Sequence, residues 1–134
     1  QNSSVIVDDY GNLTLNLGTG GLGYGAGAGG TVTQLTSKYT AVTLNKPTGR
    51  IIMSNAALGA GASVAFVLNN TLAGSNDMCV VQIVNMILND VTNYKLEVAT
   101  FSSGGFYITL TNKSGSTLSE AIQIQFIIIK GASA

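Results

Sequence analysis

The chain has 134 residues, of which 46% are hydrophobic and only 9% are charged, and its formal net charge is zero. This length is that of one ordinary domain, the low charge excludes a disordered chain, and no basic stripe supports binding of nucleic acid. The longest apolar run has the length of a strand, so we expect no membrane insertion. Gln1 in place of an initiator Met predicts a processed chain or a fragment of a longer protein.

The first thirty residues predict a stem-like β segment followed by a glycine-rich connection. Residues 4–7, "SVIV", and 12–17, "NLTLNL", have the composition of short strands, and the "DDYG" between them is rich in turn residues. Leucines alternate with polar residues in the second run, which is typical of a half-buried strand. A glycine-rich tract then extends from Gly18 to Gly30. We therefore divide the chain into a segment 1–30 and a head domain 31–134.

The head domain predicts strands throughout, because its apolar runs alternate and are rich in β-branched and aromatic residues. The expected strands are 31–36, 38–44, 50–53, 62–68, 78–84, 94–100, 105–111 and 121–130. Seven or eight strands without a long helix indicate an all-β, jelly-roll-like β-sandwich. A β-barrel or an immunoglobulin-like sandwich is the alternative, and the latter is weakened by the absence of Trp and of a cysteine pair. Residues 54–60 could form one helical turn.

The core of this sandwich is expected to come from the apolar members of the predicted strands. The expected core residues are Leu44, Ile52, Val64, Phe66, Val81, Ile83, Leu96, Phe106, Ile108, Ile122 and Phe126. Cys79, the single cysteine, cannot form an intrachain disulfide and is interpreted as a small core residue.

Catalytic chemistry has little support in this composition. The chain has no histidine, which excludes Ser–His–Asp and Cys–His systems and the common zinc motifs. The six acidic residues are scattered, and the adjacent Asp8 and Asp9 would face opposite sides of a strand. We therefore expect a non-enzymatic protein with no catalytic residue, no metal site and no cofactor.

Three explanations are open for the glycine tract: a phosphate cradle, a flexible hinge, or a place where several chains crowd together. Residues 18–23 and 25–30 both match G-x-G-x-x-G. A dinucleotide site also needs a following helix and an acid about twenty residues later. A strand-like run follows instead, and no acid lies between Asp9 and Asp77, so we interpret both matches as chance. Composition does not decide between a flexible linker and a close approach of chains.

Residues 21–53, beginning "GLGYGAGAGGTVTQ", resemble a stretch near the start of the C-terminal β-rich head domains of tailed-bacteriophage virion surface proteins. The ending "SEAIQIQFIIIKGA", 119–132, and the middle "AALGAGASVAFVLNN", 56–70, are similar to the same domains. "VDDYGNLTL", 7–15, resembles the repetitive strands of phage fibre stems. The resemblance implies a virion surface (extracellular) protein: the knob of a tail fibre or tail needle, a head fibre, or a capsid decoration protein.

The family resemblance also implies a homotrimer, which we expect to have its axis close to the Gly18–Gly30 tract. Its partners would be other virion proteins and a glycan or protein of the host surface, bound by polar loops. Residues 69–77, 88–93 and 111–117 are the candidate loops, and Tyr24, Tyr94 and Tyr107 could offer stacking surfaces. The candidate receptor-binding residues are Asn69, Asn70, Asn76, Asp77, Asn112 and Lys113. A capsid-stabilising decoration protein is the first alternative, and a polysaccharide depolymerase is a more distant one.

Overall fold

The structure is a computed structural model that describes residues 4–16, 18–84, 90–100 and 103–133. The described chain is all-β, as predicted, apart from one short helical turn, α1 (Asp90–Asn93). Its strands are β1 (Ser4–Val7), β2 (Leu13–Asn16), β3 (Thr31–Thr33), β4 (Val42–Thr43), β5 (Thr48–Ile52), β6 (Ser63–Asn69), β7 (Met78–Ile83), β8 (Tyr94–Thr100), β9 (Gly105–Asn112) and β10 (Gln123–Ile129).

Eight of these strands form two four-stranded sheets that pack as a sandwich. Sheet I has the order β3-β5-β10-β7, and sheet II has the order β4-β6-β9-β8. Every connection from β3 to β10 changes sheet, except the one between β8 and β9, which pair as an antiparallel hairpin. This alternation makes β3 parallel to β5 and β4 parallel to β6, whereas the other pairs are antiparallel. The result is a jelly-roll-like β-sandwich.

The core lies between the sheets and is built around three phenylalanines. Phe66 and Phe106 come from sheet II and Phe126 from sheet I, and all three are buried. Most of the predicted core residues are confirmed, either as buried residues or packed against the buried cluster. Ile52 is the exception: it is only half-buried, and its neighbour Ile51 is fully buried in its place.

Gly49 determines which face of β5 points into the core, because it lies on the same face as Ile51. A Cβ atom at Gly49 would lie 2.5 Å from a methyl carbon of Leu44 and 3.1 Å from the ring of Phe126. Only a residue without a side chain can therefore occupy this inward position. Because sides alternate along a strand, Gly49 directs Ile51 inward and Ile52 outward.

The segment between β3 and β4 is a turn rather than the continuous strands predicted over 31–36 and 38–44. The amide of Gln34 donates to the carbonyl oxygens of Lys38 and Thr40, and so satisfies main-chain groups that a strand partner would otherwise bind. Its own amide oxygen accepts a hydrogen bond from the main chain of Ser54. Residues 54–60, where one helical turn was expected, are not helical, and Leu58 bridges to Leu118.

The two N-terminal strands form a sheet of their own, in which β1 pairs only with β2. The carboxylate of Asp8 closes their connection by accepting hydrogen bonds from Asn12 and from the main chain of Tyr10, and the Asn12 side-chain bond is the main cause of its lowered pKa. The register places Val5 beside Leu15 and Val7 beside Leu13, all on one face. Val5 and Val7 are each 66% exposed, so this apolar face is uncovered within the described chain.

Candidate functional site

Residues of the 69–77 loop lie at the end of the sandwich where the glycine tract joins it. We call this the near end; it contains residues 46–48, 69–78 and 128–130. The tract is attached here by the hydroxyl of Tyr24, which donates to the carbonyl of Ile128 at 2.8 Å, and by Lys46, whose ammonium donates to the carbonyl of Gly27 at 3.0 Å. The opposite, far end contains residues 54–63 and 112–120.

Asn70 is buried and organises the near end rather than facing solvent. Its side-chain amide donates to the carbonyl oxygens of Leu44 and Lys46, both at 2.7 Å. Its amide oxygen accepts the main-chain N–H of Leu72 at 2.9 Å. One side chain thus joins the 69–77 loop to the segment after β4, which leaves it no free polar group for a ligand.

Asp77 has a similar role and ties the loop to the C-terminal residues. Its carboxylate accepts the main-chain N–H groups of Gly74 at 2.7 Å and Gly131 at 3.0 Å, and it pairs with the ammonium of Lys130. The hydrogen bond from Lys130, together with those from the two main-chain groups, lowers the pKa of Asp77 to about 2. Gly131 passes so close that a Cβ atom there would lie 1.8 Å from the carbonyl oxygen of Asn76.

Asn112, at the last position of β9, performs the same function at the far end. It is fully buried, and its amide lies within hydrogen-bond distance of the carbonyls of Leu58 (2.9 Å), Gly59 (3.0 Å) and Ser116 (2.7 Å). Its oxygen accepts the N–H and the hydroxyl of Ser114. The side chain therefore holds the 111–117 loop in shape.

The six candidate receptor-binding residues do not form one site. The first four lie at the near end, whereas Asn112 and Lys113 lie at the far end, about 23 Å away along the length of β9. Of the six, Asn69, Asn76 and Lys113 are exposed, and the other three are buried and hydrogen-bonded within the protein. Residues 88 and 89 of the candidate loop 88–93 lie outside the described residues, and the rest of that loop is α1.

The three tyrosines named as stacking surfaces have different surroundings. Tyr94 is buried, and its hydroxyl donates to the carboxylate of Glu120 at 2.5 Å. Tyr24 is half-exposed at the near end. Tyr107 is half-exposed on the outer face of sheet II, so it and Tyr24 offer ring surface to solvent.

The outer faces of the two sheets differ in polarity, and sheet I has an apolar patch that sequence analysis did not identify. On β10, Ile127 and Ile129 point outward and lie beside Val80 and Met78 of β7. The glycine tract extends this surface, because Leu22 and Tyr24 line a groove of about 380 Å³ with the end of β10. We define the apolar patch as Leu22, Tyr24, Met78, Val80, Ile127 and Ile129.

Lys38 and Cys79, two further groups with shifted pKa values, are both buried side chains. Burial lowers the pKa of Lys38, whose ammonium donates to the carbonyl oxygens of Ser54 and Glu120 at 2.5 and 2.7 Å. Burial raises the pKa of the Cys79 thiol to about 12. Because a nucleophile or base must be accessible to its substrate, this placement favours a structural role for both groups.

Within the described ranges, no group of three or more His, Cys, Asp or Glu side chains is arranged to hold a metal ion. No helix in the same ranges has the length and hydrophobicity needed to cross a bilayer. Comparison with known proteins gave no match among family models, curated proteins or solved structures.

Proposed function

We propose that this chain is a non-enzymatic virion surface protein of a tailed bacteriophage, the trimeric knob of a fibre or tail needle that attaches to the host surface. The observation that supports this most directly is the order of parts in one short chain. A hairpin with its own two-stranded sheet is followed by an exposed glycine tract and then by a jelly-roll-like sandwich. A stem, a connection and a rigid head in this order suit presentation of loops away from a particle.

The position of the connection indicates which loops would meet the host. Because the glycine tract joins the near end, the far end is the one directed away from the stem. The far-end loops are polar and exposed at several positions, including Asn55, Lys113 and Ser116. Hydroxyl, amide and ammonium groups of this kind hydrogen-bond sugars and peptide groups. Three weak sites per trimer would give much tighter adhesion than one, by a factor on the order of a hundred or more when they bind together.

Adsorption of the purified chain to a panel of bacterial strains and to a glycan array tests this function. We expect binding by the unmodified protein and weaker binding by Lys113→Glu at the far end. Asn69→Ala is the matched control, because Asn69 is exposed at the near end. Equal loss of binding in both variants, or no binding to any strain or glycan, would contradict attachment through the far end.

A capsid decoration protein is the second candidate, and the apolar patch is the observation that favours it. Decoration needs a surface that docks on another virion protein, and exposed apolar patches mark protein–protein contacts. Binding to purified capsids that lack this protein, without binding to cells or glycans, would favour decoration over attachment. Release of reducing ends from host polysaccharide would instead identify a depolymerase.

A further inference from the structure

We propose that the apolar patch, with the adjoining edge strand β7, is the surface on which a second copy of this chain sits. This inference rests on the proposed function for the number of copies, and it adds the surface through which they meet. Three independent features of the described residues support it: the exposure of the patch, the unprotected edge strand, and the shape of the surface.

Most of the patch consists of large apolar side chains that are about half exposed or more. Leu22 is 86% exposed and Met78 62%, while Ile129, Tyr24 and Val80 are each about half exposed. Ile127 lies on the same outer face and is partly buried, and adjoining exposed apolar side chains of this kind are typical of contact surfaces. A standard interface buries about 800 Å² on each partner. The patch can therefore supply the apolar centre of an interface, and its neighbours Thr48, Gln82 and Gln125 supply the polar rim.

Strand β7 is an edge of sheet I that lacks the usual protection against pairing. Its sequence, Met78–Ile83, contains no charged residue and no proline. Natural edge strands are generally kept apart by charges, prolines or short length. The edge of sheet II above it, β8, has two charged side chains, Lys95 and Glu97, which form an exposed ion pair. This contrast in charge favours β7 over β8 as the edge that meets a second copy.

The shape and charge of the patch favour a copy of the same chain over a different partner. Leu22 projects into solvent beside the groove that it lines with Tyr24, Ile127 and Ile129. A projecting apolar side chain next to an apolar groove is self-complementary, because each copy can provide the side chain for its neighbour's groove. Among the described residues that line the groove, Lys130 is the only charged one. A polar ligand such as a glycan would find few hydrogen-bonding partners there.

The outer face of sheet II provides the internal control for this reasoning. Its outward residues are mostly small or polar and include Ser63, Ala65, Thr109 and Thr111, with one hydroxyl–hydroxyl hydrogen bond of 2.7 Å between Ser63 and Thr111. Val67 and Tyr107 form an adjacent apolar pair on this face. Both faces belong to the same sandwich, so burial in the core does not explain their difference. A contact between copies through sheet I would explain why its outer face is the more apolar of the two.

The test is the mass of the full chain in solution, measured by light scattering over a series of micromolar concentrations. We expect the unmodified protein to have a multiple of 13.7 kDa. The double variant Val80→Lys with Ile129→Lys should have the mass of a single chain and keep the β-type circular dichroism spectrum. The matched control, Ala65→Lys with Ala99→Lys, adds the same charge to the outer face of sheet II and should keep the multimeric mass.

Cysteine cross-linking gives a second measurement that does not depend on how the lysine variants fold. In the proposed contact Leu22 of one copy enters the groove of its neighbour, so an equimolar mixture of Leu22→Cys and Ile129→Cys proteins should form disulfide-linked pairs with one chain of each kind under mild oxidation. A mixture of Leu22→Cys and Ala65→Cys proteins should not, and the native Cys79 is buried and should not compete.

A multimer that survives both lysines in the patch and gives no disulfide between Leu22→Cys and Ile129→Cys chains would overturn the proposed surface while leaving the homotrimer standing. A mass of 13.7 kDa for the unmodified protein at every concentration would overturn both. Attachment to cells or glycans is measured separately, so its failure is distinct from either result.

Discussion

Replacing Asn112 by alanine distinguishes a residue that shapes a loop from one that binds a receptor. The amide of Asn112 lies within hydrogen-bond distance of three carbonyls, and its oxygen accepts two groups of Ser114. The three carbonyls each keep another donor within the protein, so the substitution leaves none of them wholly unpaired. The loss in the free energy of unfolding therefore stays near the net contribution of the hydrogen bonds, about 0.5–1.5 kcal/mol each. It does not include the larger cost of burying polar groups that have no hydrogen-bond partner.

Five contacts with partial compensation, together with the space left in a fully buried position, predict a loss of about 3 kcal/mol in the free energy of unfolding. For a domain of this size the melting temperature should fall by about 10 °C. Urea denaturation at one fixed protein concentration is the assay, because the stability of an assembly depends on concentration. The neighbouring Lys113→Ala is the control, since Lys113 is exposed and its change should stay within about 0.5 kcal/mol.

Two results would refute this reasoning. An Asn112→Ala protein as stable as the control would show that the hydrogen bonds contribute little. An unchanged stability combined with loss of cell or glycan binding would return Asn112 to the role of a direct ligand contact. We expect instead that binding, if altered, changes together with the loss of loop structure.

Three further substitutions and one labelling experiment probe the fold. Phe126→Ala should cost about 3–5 kcal/mol in urea denaturation, because its ring is fully buried, and a loss below 1 kcal/mol would contradict that packing. Gly131→Ala should lower the melting temperature, because its Cβ would meet Asn76, and an unchanged value would argue against the contact. The pKa of Asp77 lies at about 2, below its ordinary value, so its stabilising effect should be complete above pH 4 and be lost as the pH falls towards 2; Asp77→Asn should flatten that part of the stability curve. Cys79, with its pKa raised to about 12, should react with iodoacetamide at pH 8 only after unfolding.

Strand positions could be predicted from the sequence because alternation is a local signal. All ten predicted segments overlap a strand of the structure, and most boundaries differ by one or two residues, although β3 and β4 are shorter than predicted. Which side of β5 faces the core was harder to predict, because "RIIM" places two isoleucines side by side and both suit the core. The close contacts of Gly49 with Leu44 and Phe126 settle the choice, and these residues are distant in sequence.

The candidate site was harder to predict because turn chemistry and ligand binding use the same residue types. Asn and Asp are common in loops since their side chains hydrogen-bond the main chain, which is what Asn70, Asp77 and Asn112 do here. Nothing in the local sequence separates them from exposed neighbours such as Asn69 and Lys113. The apolar patch was missed for a related reason: Ile127 and Ile129 belong to a continuous apolar run, in which outward and inward positions look alike.

The glycines of this chain differ in whether contacts within the chain require them. Gly49 and Gly131 are required by close contacts within this chain, whereas a Cβ atom at Gly23 or Gly25 would meet nothing within 4 Å. Hydrogen bonds at Tyr24, Gly27 and Gly30 attach the second half of the tract to the sandwich, so a freely moving linker does not account for it. Two glycines of the tract are explained within the chain: a Cβ atom at Gly30 would lie 3.0 Å from a methyl carbon of Leu44, and Gly27 has a φ of 87°, which favours glycine. Gly23 and Gly25 have neither constraint, and the contact between copies that we propose beside the apolar patch would account for glycine at these two positions.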